Sequence, residues 1–321
     1  MNKRKRLKRK NYRNALVQAV AQGDLRRTRK LLRLGKVDRK ILHVAIFSGQ
    51  SRELVDLVWQ HAGLSEEELK VSMLYYAVQS NDVPAVEAFI RSGMSPDTIL
   101  DEYGGRPLHN AISGNMAQVL ISAGADVNAL NSFGEPPLFF ARGKVLEILL
   151  AAGADAGIIG RFGQTALLYP HKANEVRLLL AAGANPHQAG VCLNTPLHEA
   201  RDAESVRLYV DLGLDVNARS ISGDSPLFYA KNLEVAQALL SAGAEPSAAN
   251  DEGQTPLHVC SEADRAACLI AAGAKVNAED KDGRTPLDYA LDDKKDYEGQ
   301  RALVAVLLQA GASRGRGKPH A

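Results

Sequence analysis

Four histidines recur at one place in a repeating pattern, and catalytic chemistry would have to begin with them. His43, His109, His198 and His258 each follow a leucine, in the pairs Leu42-His43, Leu108-His109, Leu197-His198 and Leu257-His258. Imidazole is the common general base and metal ligand near neutral pH, but the surroundings of these rings do not continue the chemistry. The sequence holds no H-E-x-x-H and no paired-cysteine or other metal spacing. It holds no G-x-S-x-G, P-loop or dinucleotide fingerprint either. Acidic residues are plentiful but scattered. The cysteines Cys192, Cys260 and Cys268 form no CxxC and no even-numbered framework. They are expected to be small, mostly buried residues of a reducing compartment. The chain is therefore expected not to be an enzyme, and no cofactor, metal or small-molecule substrate is expected.

Charge offers a second chemistry. The net charge of +2 conceals a division along the chain. Residues 1–40 carry 16 Lys and Arg against Asp24 and Asp38, a charge of +14, and the remainder carries −12. Lys3, Arg4, Lys5, Arg6, Lys8, Arg9, Lys10 and Arg13 crowd the first thirteen residues, and Arg26, Arg27, Arg29, Lys30 and Arg33 follow. Such a run attracts phosphates, anionic lipid or acidic proteins, and it also resembles a nuclear import signal; a solvated tail is the competing reading. The tail Arg314-Gly315-Arg316-Gly317-Lys318 is a weaker version, for which a solvated end is preferred.

The elements that must position these residues are set by a repeat. Hydrophobic content of 45% is ample for a folded core, and aromatics are scarce at 5%, a palette for small, closely packed helices. A marker leucine falls at Leu108, Leu138, Leu167, Leu197, Leu227, Leu257 and Leu287, a period of 30, once 29. Around it stand Thr195-Pro196-Leu197-His198, Ser225-Pro226-Leu227-Phe228, Thr255-Pro256-Leu257-His258 and Thr285-Pro286-Leu287-Asp288. Thr or Ser is expected to cap a helix whose first turn accepts Pro. The leucine and the Ala three residues on (Leu197 and Ala200, Leu227 and Ala230) share a face, and Cys260 takes the small position in its repeat. Gly183, Gly213, Gly243 and Gly273 follow a second helix as its stop. Asp126-Val127-Asn128 and Asp215-Val216-Asn217 then carry turn chemistry. Each repeat reads as helix, short turn, helix, glycine stop and extended loop, and cannot bury its apolar face alone.

The pattern resembles the ankyrin repeat, with seven consecutive repeats sharing one phase across residues 102–313. Weaker motifs extend it back: Leu16-Val17-Gln18-Ala19 with Gly23-Asp24, Leu42-His43-Val44-Ala45 with Gly49-Gln50, and Leu74-Tyr75-Tyr76-Ala77 with Asn81-Asp82. The expected organisation is a polybasic tail over 1–13, three full-length repeats over 14–101, seven mostly shortened ones over 102–313, and a basic tail over 314–321. The fold class is all-α, a solenoid of stacked helix-turn-helix repeats with extended loops. Ala15–Ala21, which faintly resembles a secretion signal, is then the first helix of the first repeat. No apolar run is long enough to span a membrane. A soluble, cytoplasmic protein is expected, or a nuclear one in a eukaryotic host.

The repeats are not alike. From marker leucine to stop glycine there are 19 residues in Leu16–Gly35 and Leu74–Gly93, but 16 in the fourth to ninth repeats, 15 once. About one helical turn is missing from the first helix or the turn after it. The tenth runs the other way, with 24 residues from Leu287 to Gly311 and a charged insert over 292–297. Arg106 and Pro136 replace Thr, Ala166 replaces Pro, and Pro170 replaces the small Ala and is expected to distort its helix. Leu193 stands where the other clear repeats have a loop glycine, so that loop is expected to bend differently.

The resemblance also implies roles. In the family the recurrent imidazole ties neighbouring loops together, and the two residues before the loop glycine project from the loop tip and commonly meet a partner. Here those pairs are Glu102-Tyr103, Ser132-Phe133, Arg161-Phe162, Val191-Cys192, Ile221-Ser222, Asp251-Glu252 and Lys281-Asp282. Tyr103, Phe133 and Phe162 form an expected contact row, flanked by Arg161 and Ile221; packing of the rings against adjacent loops is the alternative. The expected function is a non-catalytic scaffold binding a partner protein on its loop-tip and first-helix face. The alternative is an anion-directed adaptor that binds nucleic acid or anionic membrane through the basic N-terminus, residues 1–40, with Lys3, Arg4, Lys5, Arg6, Lys8, Arg9 and Lys10 as its anion-binding residues.

Overall fold

The structure is a computed structural model, describing Tyr12, residues 14–33, Ile41, 52–61, 65–169, 171–190, 192–292 and 298–316. It divides into two compact bodies, Met1–Leu100 and Asp101–Ala321. Every described regular element is helical. The chain is all-α.

In the N-terminal body α1 (residues 14–21) is followed by α2 (Leu25–Leu32), α3 (Arg52–Gln60), α4 (Glu66–Gln79) and α5 (Val83–Arg91). Asp24 and Asp82 begin α2 and α5 by accepting the N–H of Arg27 at 2.8 Å and of Ala85 at 3.1 Å. Ser65 and Glu68 start α4 with a reciprocal capping box. Leu16, Val20, Leu32, Ile41, Leu54 and Val58 interlock as one buried cluster. The 14 residues of α4 are a full-length first helix.

The C-terminal body has second helices α6 (Gly114–Ser122), α7 (Lys144–Ala151), α8 (Ala173–Ala181), α9 (Ala203–Asp211), α10 (Leu233–Ser241) and α11 (Ala263–Ala271). It ends with α12 (Pro286–Asp292) and α13 (Glu298–Gln309). The first helix of the fourth to eighth repeats is reduced to one 3-10 turn: Pro107–Asn110, Pro137–Phe139, Ala166–Leu168, Pro196–Glu199 and Pro226–Tyr229. The ninth keeps only a turn over 256–259. The missing residues were thus taken from the first helix. A 3-10 turn closes in three to four residues, so a short first element still returns the chain to the stack. All seven marker leucines are buried, as are Ala141, Ala200, Ala230, Cys260 and Ala290 at the small position. The distortion expected at Pro170 lies outside the described residues.

Two expectations are corrected. Thr195 does not cap its 3-10 turn with its hydroxyl. Instead its backbone N–H donates to Nδ1 of His198 at 3.0 Å, so the imidazole caps the threonine. Leu193 does not change its loop: its N–H bonds the Gly190 carbonyl at 2.9 Å, as Gly134 N–H bonds that of Asn131 at 3.0 Å. The leucine adopts the left-handed conformation (φ +58°) that the glycines of the other loops adopt.

Neighbouring repeats are tied at three levels. Nε2 of His109, His198 and His258 donates to the carbonyls of Glu135, Asp224 and Arg284, at 3.1, 3.2 and 3.1 Å. The side-chain amide of Asn217 donates to Gly243 O at 3.1 Å and accepts from Glu245 N–H at 2.9 Å, and Asn128 and Asn277 bridge in the same way. The third level is the loop tips.

Candidate partner-binding face

Six of the loop tips are tight turns, each built on one polar side chain. Asn131 Oδ1 accepts from the N–H groups of Phe133 at 2.8 Å and Glu135 at 3.0 Å, pinning the turn from inside. Asp101, Ser220, Asn250 and Asp280 repeat the arrangement in their loops. The sixth repeat has Gly160 instead, and Gln164 supplies the acceptor: its Oε1 takes the Phe162 N–H at 2.9 Å and occupies the space a Cβ at Gly160 would need.

With the turns alike, the tips fall into register. Ser132 N–H donates to Tyr103 O at 2.7 Å, Arg161 to Phe133 O at 2.9 Å, and Ile221 to Cys192 O at 2.7 Å. Asp251 and Lys281 continue the ladder onto Ser222 and Glu252, at 3.0 Å each. This converts a 30-residue sequence period into neighbouring side chains. The rings of Tyr103 and Phe133 stack with centroids 5.8 Å apart and planes 25° apart, and Phe162 follows Phe133 at 6.3 Å. Contact between the rings does not bury them: Tyr103 is 55% exposed, Phe133 36% and Phe162 51%. Arg161 is exposed beside Phe162, and Ile221 stands free at 62%. Val191 lies outside the described residues, and Cys192 is exposed.

Three apolar residues on the same loops escaped the sequence reading. Leu130 and Ile159 are exposed three residues before Phe133 and Phe162, and Leu193 is 53% exposed at the tip of the seventh repeat. The departure from loop glycine marks Leu193 in the sequence, but by itself it points to backbone shape rather than to an exposed apolar surface.

The first-helix face lies alongside. Phe140, exposed, meets Tyr169 edge-on at 5.7 Å. The Tyr169 hydroxyl donates to Glu135 at 2.5 Å, and burial, then that carboxylate, push the phenol well above its ordinary value. Tyr229 and Tyr289 are held likewise by Asp224 and Asp280. Burial also raises the Glu199 carboxyl. Tyr169, Tyr229 and Tyr289 are held in place by these hydrogen bonds.

Among the described residues, the three imidazoles of the recurrent set have both ring nitrogens engaged. Nδ1 of His109, His198 and His258 accepts a backbone N–H from Arg106, Thr195 and Thr255, while Nε2 donates to the next loop. His43 lies outside the described residues. Among the described residues no group of three or more His, Cys, Asp or Glu could hold a metal ion, and no helix is long and apolar enough to cross a membrane.

The family model for ankyrin repeats (3 copies) matches residues 42–131 and 227–315, more than half of the chain. The chain belongs to the ankyrin-repeat family. Ankyrin repeats generally mediate protein–protein interaction and are typically non-catalytic. The inter-loop histidines and the shortened first helices are this chain's version of the repeat. Lys3, Arg4, Lys5, Arg6, Lys8, Arg9 and Lys10 lie outside the described residues. Of the basic stretch, Arg26, Arg27, Lys30 and Arg33 are exposed on and after α2, and Arg29 pairs with Glu53 at 3.7 Å.

Proposed function

We propose that this ankyrin-repeat chain is a non-catalytic scaffold that holds a partner protein on the loop tips and first-helix face of its C-terminal body. Tyr103, Phe133 and Phe162 form the centre, with Arg161 as polar rim and Ile221 as apolar extension. The observation that carries the reading is the stacked row of three exposed rings in a protein with few aromatics. Large aromatics left half in water on consecutive loops are anchors in search of a pocket. The supporting test compares the proteins retained from a native extract by the parent and by Tyr103→Ala/Phe133→Ala/Phe162→Ala. A partner lost with the rings, from a variant that remains folded, supports the scaffold; an unchanged set contradicts it.

The second reading, an anion-directed adaptor, is supported by the exposed cationic side chains around α2. Deleting residues 1–13 should then remove most low-salt binding to nucleic acid or anionic vesicles and leave the helical content unchanged. That binding should also fall steeply with ionic strength.

A further inference from the structure

Leu193 is anomalous in two respects at once. Its loop closes with the bond that the other tips use, and that turn needs a left-handed residue. Glycine fits such a position, whereas a branched side chain rarely does. Glycine suits these tips for a second reason. A Cβ at Gly134 would lie 3.2 Å from the Arg161 nitrogen of the next loop, and one at Gly253 would lie 3.0 Å from that of Lys281. A leucine there is therefore conformationally unfavourable, and burial does not compensate, since more than half of it remains in water.

What Leu193 does supply is continuity. Its repeat has Cys192 where the three preceding repeats have Tyr103, Phe133 and Phe162, and the following repeat has Ile221 one position earlier in the pair. With Leu193 included, five consecutive loops each present one large exposed apolar side chain at the tip. The chemistry then changes sign. The loops of the last two repeats expose Asp251, Glu252, Glu279 and Asp282 against Lys281, and Asp251 is contacted by Arg219 at 3.4 Å.

We infer that Leu193 is a partner-contacting residue, and that the partner is a linear protein segment with an apolar stretch that continues into a basic one. The apolar stretch covers Tyr103 to Ile221, and the basic stretch lies against the acidic tips beyond. This rests on the scaffold reading of the same face and adds to it a specificity residue and the charge order of the ligand. A strained, exposed apolar residue is retained where its contact is made in the complex rather than in the free protein.

The probe is a fluorescein-labelled synthetic peptide whose first half alternates Leu or Val with Thr and whose second half alternates Lys with Ser. A companion peptide carries Glu at every Lys. The full-length parent should bind the first peptide, and the companion about tenfold or more weakly. Leu193→Gly should weaken binding of the first peptide about tenfold while leaving the thermal midpoint equal or higher, because glycine relieves the turn. Leu193→Met, which keeps the apolar reach, should retain most of the affinity. Unchanged binding by Leu193→Gly overturns the role of Leu193, and so does a fall in thermal midpoint that accompanies the loss. Equal binding of the two peptides, or binding of neither by the parent, overturns the proposed ligand. The triple alanine variant separates the two levels. If it loses the peptide while Leu193→Gly keeps it, the face stands and Leu193 falls. If it binds like the parent, the face itself is wrong.

Discussion

Nε2 of His198 donates its proton to the carbonyl oxygen of Asp224, 26 residues downstream, while its Nδ1 accepts the Thr195 N–H. The two bonds fix the tautomer and require a neutral ring: a protonated Nδ1 could not accept. His109 and His258 are held in the same way. The arrangement has a consequence for stability. Burial lowers the pKa of all three below the ordinary value. The unfolded chain binds protons at these sites near pH 6.5, and the folded chain resists them until lower pH. Stability is then fully present above about pH 6.5 and declines as pH falls below it. Thermal midpoints should be level from about pH 8 to pH 7 and drop toward pH 5. His198→Phe, which borrows the residue the eighth repeat has as Phe228, should reduce that slope. It should also cost about 1–3 kcal/mol, from two backbone groups left without their partner.

The tenth repeat reverses the polarity. Asp288 occupies the histidine position, and its Oδ2 accepts from Thr285 N–H at 2.9 Å, Thr285 Oγ at 3.0 Å and Gly315 N–H at 2.7 Å. Burial pushes this carboxyl up, but those donors outweigh it and hold it below the ordinary range. Its contribution is present above about pH 4 and is lost as pH falls through the depressed value. Asp288→Ala should release the segment that follows α13. Hydrogen exchange at Gly315 should rise sharply, with about 1–3 kcal/mol lost overall.

Stacking rests on the marker leucines. Leu227 is 3% exposed, so Leu227→Ala should cost about 2–5 kcal/mol in denaturant unfolding. A loss no larger than that of a surface substitution would place the repeat phase elsewhere.

Asn217 bridges to the next repeat with both ends of its amide. Asn217→Ala should cost about 1 kcal/mol, because the freed groups lie near the surface and rehydrate. Hydrogen exchange at Glu245 N–H reads the loss directly.

Much of this was legible in the sequence, and the rest was not for physical reasons. Periodicity alone places Leu197, Leu227 and Leu257 in the core, because burial in a repeat follows the period. The alignment of Tyr103, Phe133 and Phe162 was legible too, since equivalent positions in stacked repeats are neighbours, but the stacked geometry of the rings was not. The length deficit was visible, but whether a turn was lost from the helix or from its connection depends on 3-10 hydrogen bonds that spacing does not reveal. Gln164 filling the place of a loop Asx beside Gly160 is a tertiary substitution with no local signature. The departure at Leu193 suggests a redirected loop, yet the turn bond to Gly190 and the ladder bond from Ile221 to Cys192 keep the common turn, with the leucine in the left-handed region.

The row of rings is the place where the scaffold reading stands or falls. The most direct measurement is calorimetric titration of an isolated retained partner into the parent and into Tyr103→Ala/Phe133→Ala/Phe162→Ala, each with its thermal midpoint. Loss of one aromatic anchor typically costs about 2 kcal/mol or more. The account predicts at least a hundredfold weaker binding by a variant that melts near the parent temperature, with little change between low and moderate salt. Equal affinity in the two proteins would contradict it, and a large fall in melting temperature would show that the rings serve the stack instead.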